Sequence, residues 1–265
     1  TVEKAHELGL NDTRLISKEE LQSMEPQTRI NAIGAILFNC DAHCFPNKLM
    51  SSLIHFLKQQ GVQLIPNQEV ISFEKANGKI TKVITADKMY EQDEVVVATG
   101  SWGRETAKLL GTRIPMMPGR GYSVTLEDSP YKVNYPAVLL EGRAAITPMD
   151  GNKIRFGGTM EITSHKTPPR MNRVQGVLDA VKRFYPDFDV PLPAKEKIWY
   201  GYRPCSADGL PYLGRIKKYK NVTVATGHSM LGLSLGAGTG RLVSELVNQQ
   251  AVSMNIKPFA VERFS

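Results

Sequence analysis

The sequence predicts an α/β fold combined with an α+β region. Two stretches, Glu94–Leu110 and Val222–Asn248, each carry an apolar run that stops at a Thr-Gly pair and continues as a helical pattern. Such stretches predict strand–turn–helix units. Between them, residues 115–158 hold short β-type runs separated by turn signals at Asp128-Ser129-Pro130 and Asp150-Gly151. Short strands joined by tight turns are typical of an antiparallel sheet.

From these patterns we expect α/β segments at residues 30–112 and 205–250 to flank an α+β insertion at residues 113–204. A binding crevice is expected where two such parts of a chain meet. No internal repeat or low-complexity stretch interrupts this organisation.

The first third of the chain mixes short helices with strands. Ser17-Lys18-Glu19-Glu20 matches a capping box and predicts a short helix that reaches Met24. Apolar spacing predicts an amphipathic helix over Asn47–Gln60, which Gly61 ends. Asn77-Gly78 predicts a hairpin turn. The predicted strands of this part are Ile30–Phe38, Val62–Ile65, Glu69–Glu74, Ile80–Thr85 and Glu94–Ala98.

The middle of the chain is β-rich and contains one long helix, predicted over Asn172–Tyr185. A strand is predicted over Lys195–Arg203 and a polar loop over Pro204–Pro211. Strand alternation places Tyr200 and Tyr202 opposite Arg203, where we expect them in the core. The other predicted strands are Gly121–Leu126, Ala137–Leu140, Ala144–Pro148 and Lys153–Gly158.

The stretch Val222–Gly240, VTVATGHSMLGLSLGAGTG, combines a strand, a glycine-rich turn and the start of a helix. A helix N-terminus presents unpaired N–H groups and a partial positive charge, and glycines let a flat or anionic ligand approach the backbone. A tight connection, in which glycines only ease packing, is an equally good interpretation of this pattern alone.

The composition is that of a globular protein. The 265 residues are 42% hydrophobic and 22% charged, with a formal net charge of +7. Basic residues are scattered along the sequence, apart from one cluster formed by Lys217, Lys218 and Lys220. This scatter argues against a nucleic-acid partner and leaves an acidic membrane surface as an alternative partner. Three cysteines indicate a reducing compartment. No membrane-spanning run or signal peptide is visible, so we expect a cytoplasmic protein, with peripheral attachment to the inner membrane as the alternative.

Five blocks of sequence carry a resemblance to a known family. VVVATGSWG at 95–103, YGYRPCSADGLPYLGR at 200–215 and ATGHSMLGLSLGAGTGRLVSEL at 225–246 resemble the FAD-dependent amine oxidoreductases of the D-amino-acid oxidase family, which includes glycine oxidase. PGRGYSVTL at 118–126 and FGGTMEI at 156–162 look most like the D-amino-acid dehydrogenase and hydroxyproline dehydrogenase branch. The blocks occur in the family's order and cover nearly the whole chain.

The resemblance implies FAD as cofactor. Family members carry a strand followed by G-x-G-x-x-G near the N-terminus, which holds the ADP half of FAD. This sequence shows no such motif, so it looks like the C-terminal two-thirds of a flavoenzyme that lacks the N-terminal FAD-binding segment. Residues 30–112 and 205–265 would form a partial FAD-binding domain, and residues 1–29 and 113–204 a substrate-binding α+β domain.

The resemblance assigns three substrate-binding residues. Arg203, in the R-P before D-G-x-P, matches the arginine that grips the substrate carboxylate, a role suited to the guanidinium fork. A surface or salt-bridging arginine is the alternative. Tyr122 would hydrogen-bond the substrate. Met230 stands where some oxidases carry a second substrate-binding arginine.

The resemblance also implies cofactor contacts. Val70 would touch the adenine through its backbone, although a core valine is an equal alternative. Thr99 and Gly100 would lie on the pyrophosphate side, where close packing alone would also select small residues. The loop that wraps the flavin ring in the family corresponds to His228, Ser229, Met230, Leu231, Gly232, Leu233 and Ser234.

No residue is assigned as a catalytic acid or base. A lone histidine at a turn, such as His228, is more typical of a structural hydrogen bond than of a general base. Glu161 would contact an amine or be a strand-end charge. Cys40, His43 and Cys44 offer only three ligands, so no metal site is expected.

The implied reaction is hydride transfer from the amino-acid Cα–H to flavin, giving an imino acid that hydrolyses to a 2-oxo acid and ammonia. Oxygen and a membrane quinone are both open as electron acceptors. The alternative function is a non-catalytic module that kept a small-molecule pocket and lost cofactor binding.

Overall fold

The computed structural model describes residues 1–264. The helices are α1 (Val2–Glu7), α2 (Lys18–Met24), α3 (Pro46–Gln59), α4 (Gly103–Leu110), α5 (Met171–Phe184) and α6 (Gly236–Val247). The strands are β1 (Thr13–Ser17), β2 (Gly34–Phe38), β3 (Val70–Ala76), β4 (Lys79–Thr85), β5 (Met89–Glu91), β6 (Val95–Val97), β7 (Met116–Leu126), β8 (Ala137–Leu139), β9 (Ala144–Pro148), β10 (Ile154–Ile162), β11 (Trp199–Ser206), β12 (Tyr212–Arg215) and β13 (Val222–Thr226).

The chain forms two compact units. The first comprises residues 1–64, 121–159 and 168–200, and the second residues 65–120, 160–167 and 201–265. These units differ from the predicted domains, because residues 30–64 belong to the first and residues 113–120, 160–167 and 201–204 to the second. Which part binds cofactor and which binds substrate stays a prediction.

The first unit is built around antiparallel pairing, as predicted for this region. β9 pairs antiparallel with both β8 and β10, within a five-stranded sheet of order β11-β7-β10-β9-β8. Helix α5 contributes Val174 and Val181, which are fully buried with Phe156 and Ile146. The period of the apolar residues in α5 and the alternation in β9 and β10 therefore create this core.

The N-terminal segment combines confirmed and unpredicted elements. Ser17 caps α2, since its Oγ accepts a hydrogen bond from Glu20 N at 3.2 Å. Helix α1 and strand β1 were not predicted, and β1 pairs antiparallel with β2. Helix α3 is close to its predicted bounds, but it buries no residue within the described chain. The strand predicted over Val62–Ile65 is wrong, because that segment is part of neither a helix nor a strand.

The second unit contains two three-stranded sheets, of order β12-β13-β6 and β3-β4-β5. The β3–β4 hairpin turns at Asn77-Gly78, as predicted, with φ values of 51° and 71°. Strand β12 was not predicted, since Pro211 and Gly214 obscure a strand that pairs with β13. The polar loop predicted over Pro204–Pro211 is wrong at Pro204–Ser206, which belong to β11. Buried side chains from both sheets and α4 form one core, including Ile80, Leu110, Tyr212, Val222 and Val224.

Strand β11 corrects two further predictions. Lys195–Lys197 forms a short 3-10 helix, and the strand runs from Trp199 to Ser206. Tyr200 is 40% exposed and Tyr202 is half-buried, so neither is a core residue. A strand with intermediate exposure along its length does not follow the buried–exposed alternation on which the core prediction rested.

Candidate functional site

The carboxyl ends of two parallel strands define the candidate site. β6 and β13 pair in parallel with Val95 opposite Val222 and Val97 opposite Val224. Both strands therefore reach their Thr-Gly pairs at the same edge of the sheet. Thr226 Oγ1 donates a hydrogen bond of 2.9 Å to the Gly100 carbonyl oxygen and joins the two strand ends.

Glycine is needed at the turn after β13. Gly227 has φ +82°, a region that disfavours side chains, and a Cβ at this position would lie 2.9 Å from Tyr212 Cδ2. At the end of β6, Gly100 has φ +53°, and Thr99 Oγ1 lies 3.0 Å from Thr106 Oγ1 of α4. The Thr-Gly pairs thus turn the chain sharply and fix the following segments to the sheet edge.

The segment after β13 leaves its apolar side chains exposed. Ser229–Leu231 forms a 3-10 turn in which the Leu231 N–H donates to the His228 carbonyl at 3.0 Å. Met230 is 64% exposed and Leu231 58%. A Cβ added at Gly236, Gly238 or Gly240 would meet nothing within 4 Å, so the first turns of α6 leave their backbone open to a ligand or another backbone.

His228 occupies a structural position in this segment. Its Nε2 lies 2.9 Å from Thr239 Oγ1 on α6, and partial burial lowers its pKa. The imidazole links the turn to the helix and favours the neutral form. This geometry matches the structural interpretation of His228 made from the sequence, while its role in cofactor binding stays a prediction.

Arg203 lies on β11 two residues before the point at which the strand meets this loop. Cys205 forms a backbone bridge with His228, and its Sγ lies 3.7 Å from Ser229 Oγ. The Arg203 side chain is half-buried, and burial lowers the pKa of its guanidinium. The structure therefore brings the strand of the predicted carboxylate-binding residue next to the predicted flavin-contacting loop.

Val70 lines a small cavity of about 240 Å³ in the second unit. Val83 and Tyr90 supply further apolar lining, and Gln68 supplies a polar edge. Gln68 is held by Thr85, whose hydroxyl donates to Oε1 at 2.7 Å. Val70 is partly buried rather than fully enclosed in the core.

A buried ion pair that the sequence analysis missed lies between β7 and β10. Arg120 is 0% exposed and donates to Glu161 Oε2 at 2.9 Å from one terminal nitrogen, while the other donates to the Thr167 carbonyl at 2.6 Å. Glu161 is therefore a buried partner of Arg120 and not a strand-end charge. The PGRG pattern around Arg120 gave no sign of burial, because an arginine in a strand is ordinarily exposed.

The segment anchored by this pair carries His165 against the start of α4. The His165 ring stacks on Trp102 with centroids 4.6 Å apart, and its Nε2 lies 3.0 Å from Ser101 Oγ. The Tyr202 hydroxyl donates to the His165 carbonyl at 3.1 Å. His165 was not singled out from the sequence, since no motif surrounds it.

Tyr122 is a buried residue of the first unit. Its hydroxyl accepts a hydrogen bond from the Arg170 N–H at 2.9 Å, and its ring packs 6.3 Å from Tyr200. The structure thus gives Tyr122 a packing role at the start of α5. Contact with substrate stays a prediction, as it does for Met230.

Cys40 and Cys44 are exposed and free. Among residues 1–264, no group of three or more His, Cys, Asp or Glu side chains is arranged to hold a metal ion. Over the same residues, no helix is both long and apolar enough to cross a bilayer.

Comparison with known proteins identifies the family. The model of the DAO family, described as FAD dependent oxidoreductase, matches residues 1–246. The chain belongs to this family. Its mixed α/β content and antiparallel sheets agree with solved structures of other FAD-dependent oxidoreductases. Glycine oxidase from Geobacillus kaustophilus aligns with a TM-score of 0.86 at 24% identity, covering 99% of this chain and 70% of that one.

Other relatives of this oxidoreductase family carry different names. L-proline dehydrogenase from P. horikoshii aligns with a TM-score of 0.88 at 23% identity, over 99% of this chain and 71% of that one. D-amino acid dehydrogenase of Helicobacter pylori is 28% identical over 244 residues, 91% of this chain and 58% of that protein. Hydrogen cyanide synthase subunit HcnC of Pseudomonas aeruginosa is 29% identical over 254 residues, which are 95% of this chain and 60% of that protein. The chain thus spans less than two thirds of these curated relatives.

Proposed function

We propose that this protein acts as an FAD-dependent oxidoreductase on the CH–NH group of an amino acid, with a D-amino acid as substrate and a 2-oxo acid and ammonia as products. The observation that carries the proposal is the shared carboxyl edge of β6 and β13, from which both Thr-Gly turns project. Ligands of α/β sheets bind at such edges. The substrate class rests on the relatives named D-amino acid dehydrogenase.

The residues at this edge fit FAD. The open space at Gly236, Gly238 and Gly240 lets a flat ring or a phosphate approach the backbone of α6. Thr99 and Gly100 supply small side chains at the end of the neighbouring strand. The cavity at Val70 offers apolar walls for an adenine. Bound FAD would supply the hydride acceptor for the reaction.

Arg203 is the residue that we assign to the substrate carboxylate. A guanidinium keeps its charge at any working pH and forms two parallel hydrogen bonds with a carboxylate. Half-burial strengthens such a pair because less water competes for the charges. The task of Arg203 is to hold the substrate in one orientation, which lowers the entropic part of the barrier.

The loop from His228 to Ser234 and the first turn of α6 are assigned to the flavin. The N-terminus of a helix carries a partial positive charge, which stabilises negative charge nearby. The exposed side chains of Met230, Leu231 and Leu233 would exclude water once they are covered by cofactor and substrate. No strong base is required, because the neutral amine of the substrate can drive hydride loss.

Anaerobic reduction of the protein-bound flavin tests this proposal. The full-length protein that carries this sequence is loaded with FAD and titrated with D-amino acids, with L-amino acids as the control, while visible absorbance and ammonia are measured. Bleaching by D-amino acids with release of ammonia is the expected result. Binding of FAD or amino acid without any bleaching would instead favour a non-catalytic binding module.

A further inference from the structure

A second cavity, of about 620 Å³, opens beside α4 in the second unit. Its volume falls within the range of small-molecule sites, about 300–1,000 Å³. The walls are largely apolar and include Ile114, Met116, Met117 and Ile162, together with residues 205–207. Met117 is 41% exposed and Ile162 55%, so part of this apolar wall is accessible to a ligand.

Three cations line this cavity. Arg104 and Lys108 lie one helical turn apart on α4, and Arg113 follows the helix. No carboxylate is among the lining residues, and none of the three cations forms an ion pair within residues 1–264. Arg104 Nη1 lies 3.7 Å from Met117 Sδ, which sets the charge directly beside the apolar wall. The cavity therefore combines apolar lining with unneutralised positive charge, which attracts anions.

Stabilisation of α4 does not account for Arg104. Arg104 occupies the first turn of the helix, where a positive charge is unfavourable. At the other end, the carbonyls already have cationic partners, since Lys75 Nζ donates to Leu109 O at 2.8 Å and Lys218 Nζ to Gly111 O at 3.0 Å. An anionic ligand that pairs with Arg104 explains its placement in the first turn.

We infer that this cavity binds a small carboxylate with an apolar body, at a second site distinct from the one proposed around Arg203. Arg203 is not among the residues that line the cavity. A carboxylate matches the guanidinium of Arg104 or Arg113, and an apolar body matches Met117 and Ile162. The inference does not depend on the proposed reaction, because it concerns binding alone.

Phenylacetate is a suitable probe, since it has both features and lacks an amine that could be oxidised. Its binding is measured by isothermal titration calorimetry on the full-length protein carrying Arg203→Met, which removes the guanidinium of the proposed substrate site. We expect one bound phenylacetate and at least about tenfold weaker binding of the neutral phenylacetamide. Absence of binding to this variant would overturn the inference.

Two double variants identify the site. Arg104→Gln/Arg113→Gln, added to Arg203→Met, is expected to weaken phenylacetate binding about tenfold, because two favourable charge pairs are lost. The matched control, Lys217→Gln/Lys220→Gln, lowers the net charge equally at exposed positions outside the cavity and should bind phenylacetate unchanged. Equal weakening in both variants would show a general charge effect and contradict the site.

Cys205 provides a second readout, because this half-buried thiol lines the cavity. FAD is kept saturating throughout, since Cys205 Sγ also lies 3.7 Å from Ser229 Oγ of the predicted flavin-contacting loop. In a Cys40→Ser/Cys44→Ser background that also carries Arg203→Met, saturating phenylacetate should slow alkylation of Cys205 several-fold. Ile162→Ser should reduce that protection by removing apolar contact while leaving the fold intact, since Ile162 is exposed. Alkylation at the same rate with and without bound phenylacetate would place the ligand elsewhere and refute this assignment.

Discussion

The second unit contains two regions of opposite character. The pair Arg120 and Glu161 is buried, and Arg120 also holds the Thr167 carbonyl. The carboxyl edge of β6 and β13 instead leaves the side chains of Met230 and Leu231 more than half exposed. The buried pair makes its contacts within the protein, whereas the carboxyl edge exposes apolar side chains and open glycines to solvent.

The contrast separates residues that stabilise the fold from residues available for a ligand. Loss of a partner inside the buried network leaves an uncompensated charge, which is costly. Changes on the exposed loop affect few contacts and should be nearly neutral for folding. Different segments of the same unit thus stabilise the fold and expose surface to a ligand, as is common where a stable scaffold supports a binding site.

Removing Glu161 should produce the largest effect on stability. Glu161→Ala leaves the buried Arg120 guanidinium without its carboxylate, and we expect a loss of about 3–5 kcal/mol in the free energy of unfolding. Urea unfolding of the protein measures this change. The double variant Arg120→Leu/Glu161→Leu should recover most of the loss, because it removes both charges. If Glu161→Ala were as stable as the parent, the buried pair would not anchor this part of the chain.

Arg203→Met should affect ligand binding strongly. Loss of a charge-assisted hydrogen-bonded pair costs about 1.5–3 kcal/mol, which corresponds to roughly a 10–100-fold weaker affinity for the amino-acid substrate. Substrate titration of flavin absorbance measures it. The control Arg203→Lys keeps the charge but loses the planar fork, and it should fall between the parent and Arg203→Met. Unchanged affinity in Arg203→Met would remove this residue from the proposed substrate site.

The sequence was sufficient to predict elements whose signals are local. The capping box at Ser17, the Asn77-Gly78 turn and the apolar period of α5 each correspond to structure at the predicted place. Strand β12 was not predicted, because Pro211 and Gly214 weaken its local β signal, which its antiparallel pairing with β13 overrides. Element prediction therefore failed where tertiary pairing overrode local propensity.

In the candidate site, too, the features with local sequence signals were predictable and those that depend on tertiary contacts were not. The Thr-Gly pairs after two apolar runs are local signals, and the structure joins them through Thr226 and Gly100. The Arg120–Glu161 pair links residues 41 positions apart, so no sequence window contains it. The cation-lined cavity was equally invisible, because Arg104 and Lys108 read as ordinary helix-surface charges until the apolar wall beside them is known.

Thr226→Val tests whether the hydroxyl of Thr226 joins the two strand ends. Loss of this hydrogen bond should cost about 0.5–1.5 kcal/mol in the free energy of unfolding. We expect a value in the lower half of this range, because Gly100 O also accepts a hydrogen bond from the Gly103 N–H. Thr223→Val is a matched control on the same strand, since Thr223 Oγ1 is buried and has no hydrogen-bond partner among the described residues. That control should be neutral or stabilising. Equal destabilisation of both variants would assign the effect to packing.

The smallest expected effect is a pH dependence from His228 at the open edge. Burial lowers its pKa in the folded state below the ordinary value of 6.5, so the unfolded chain takes up the proton first. Stability is therefore complete above pH 6.5 and falls as the pH drops through that value, until the folded-state pKa is passed. Chemical unfolding from neutral to mildly acidic pH should show this slope in the parent and lose it in His228→Asn. His55→Asn, an exposed histidine on α3, should retain the slope. A slope that persists in His228→Asn would mean that another group titrates on unfolding.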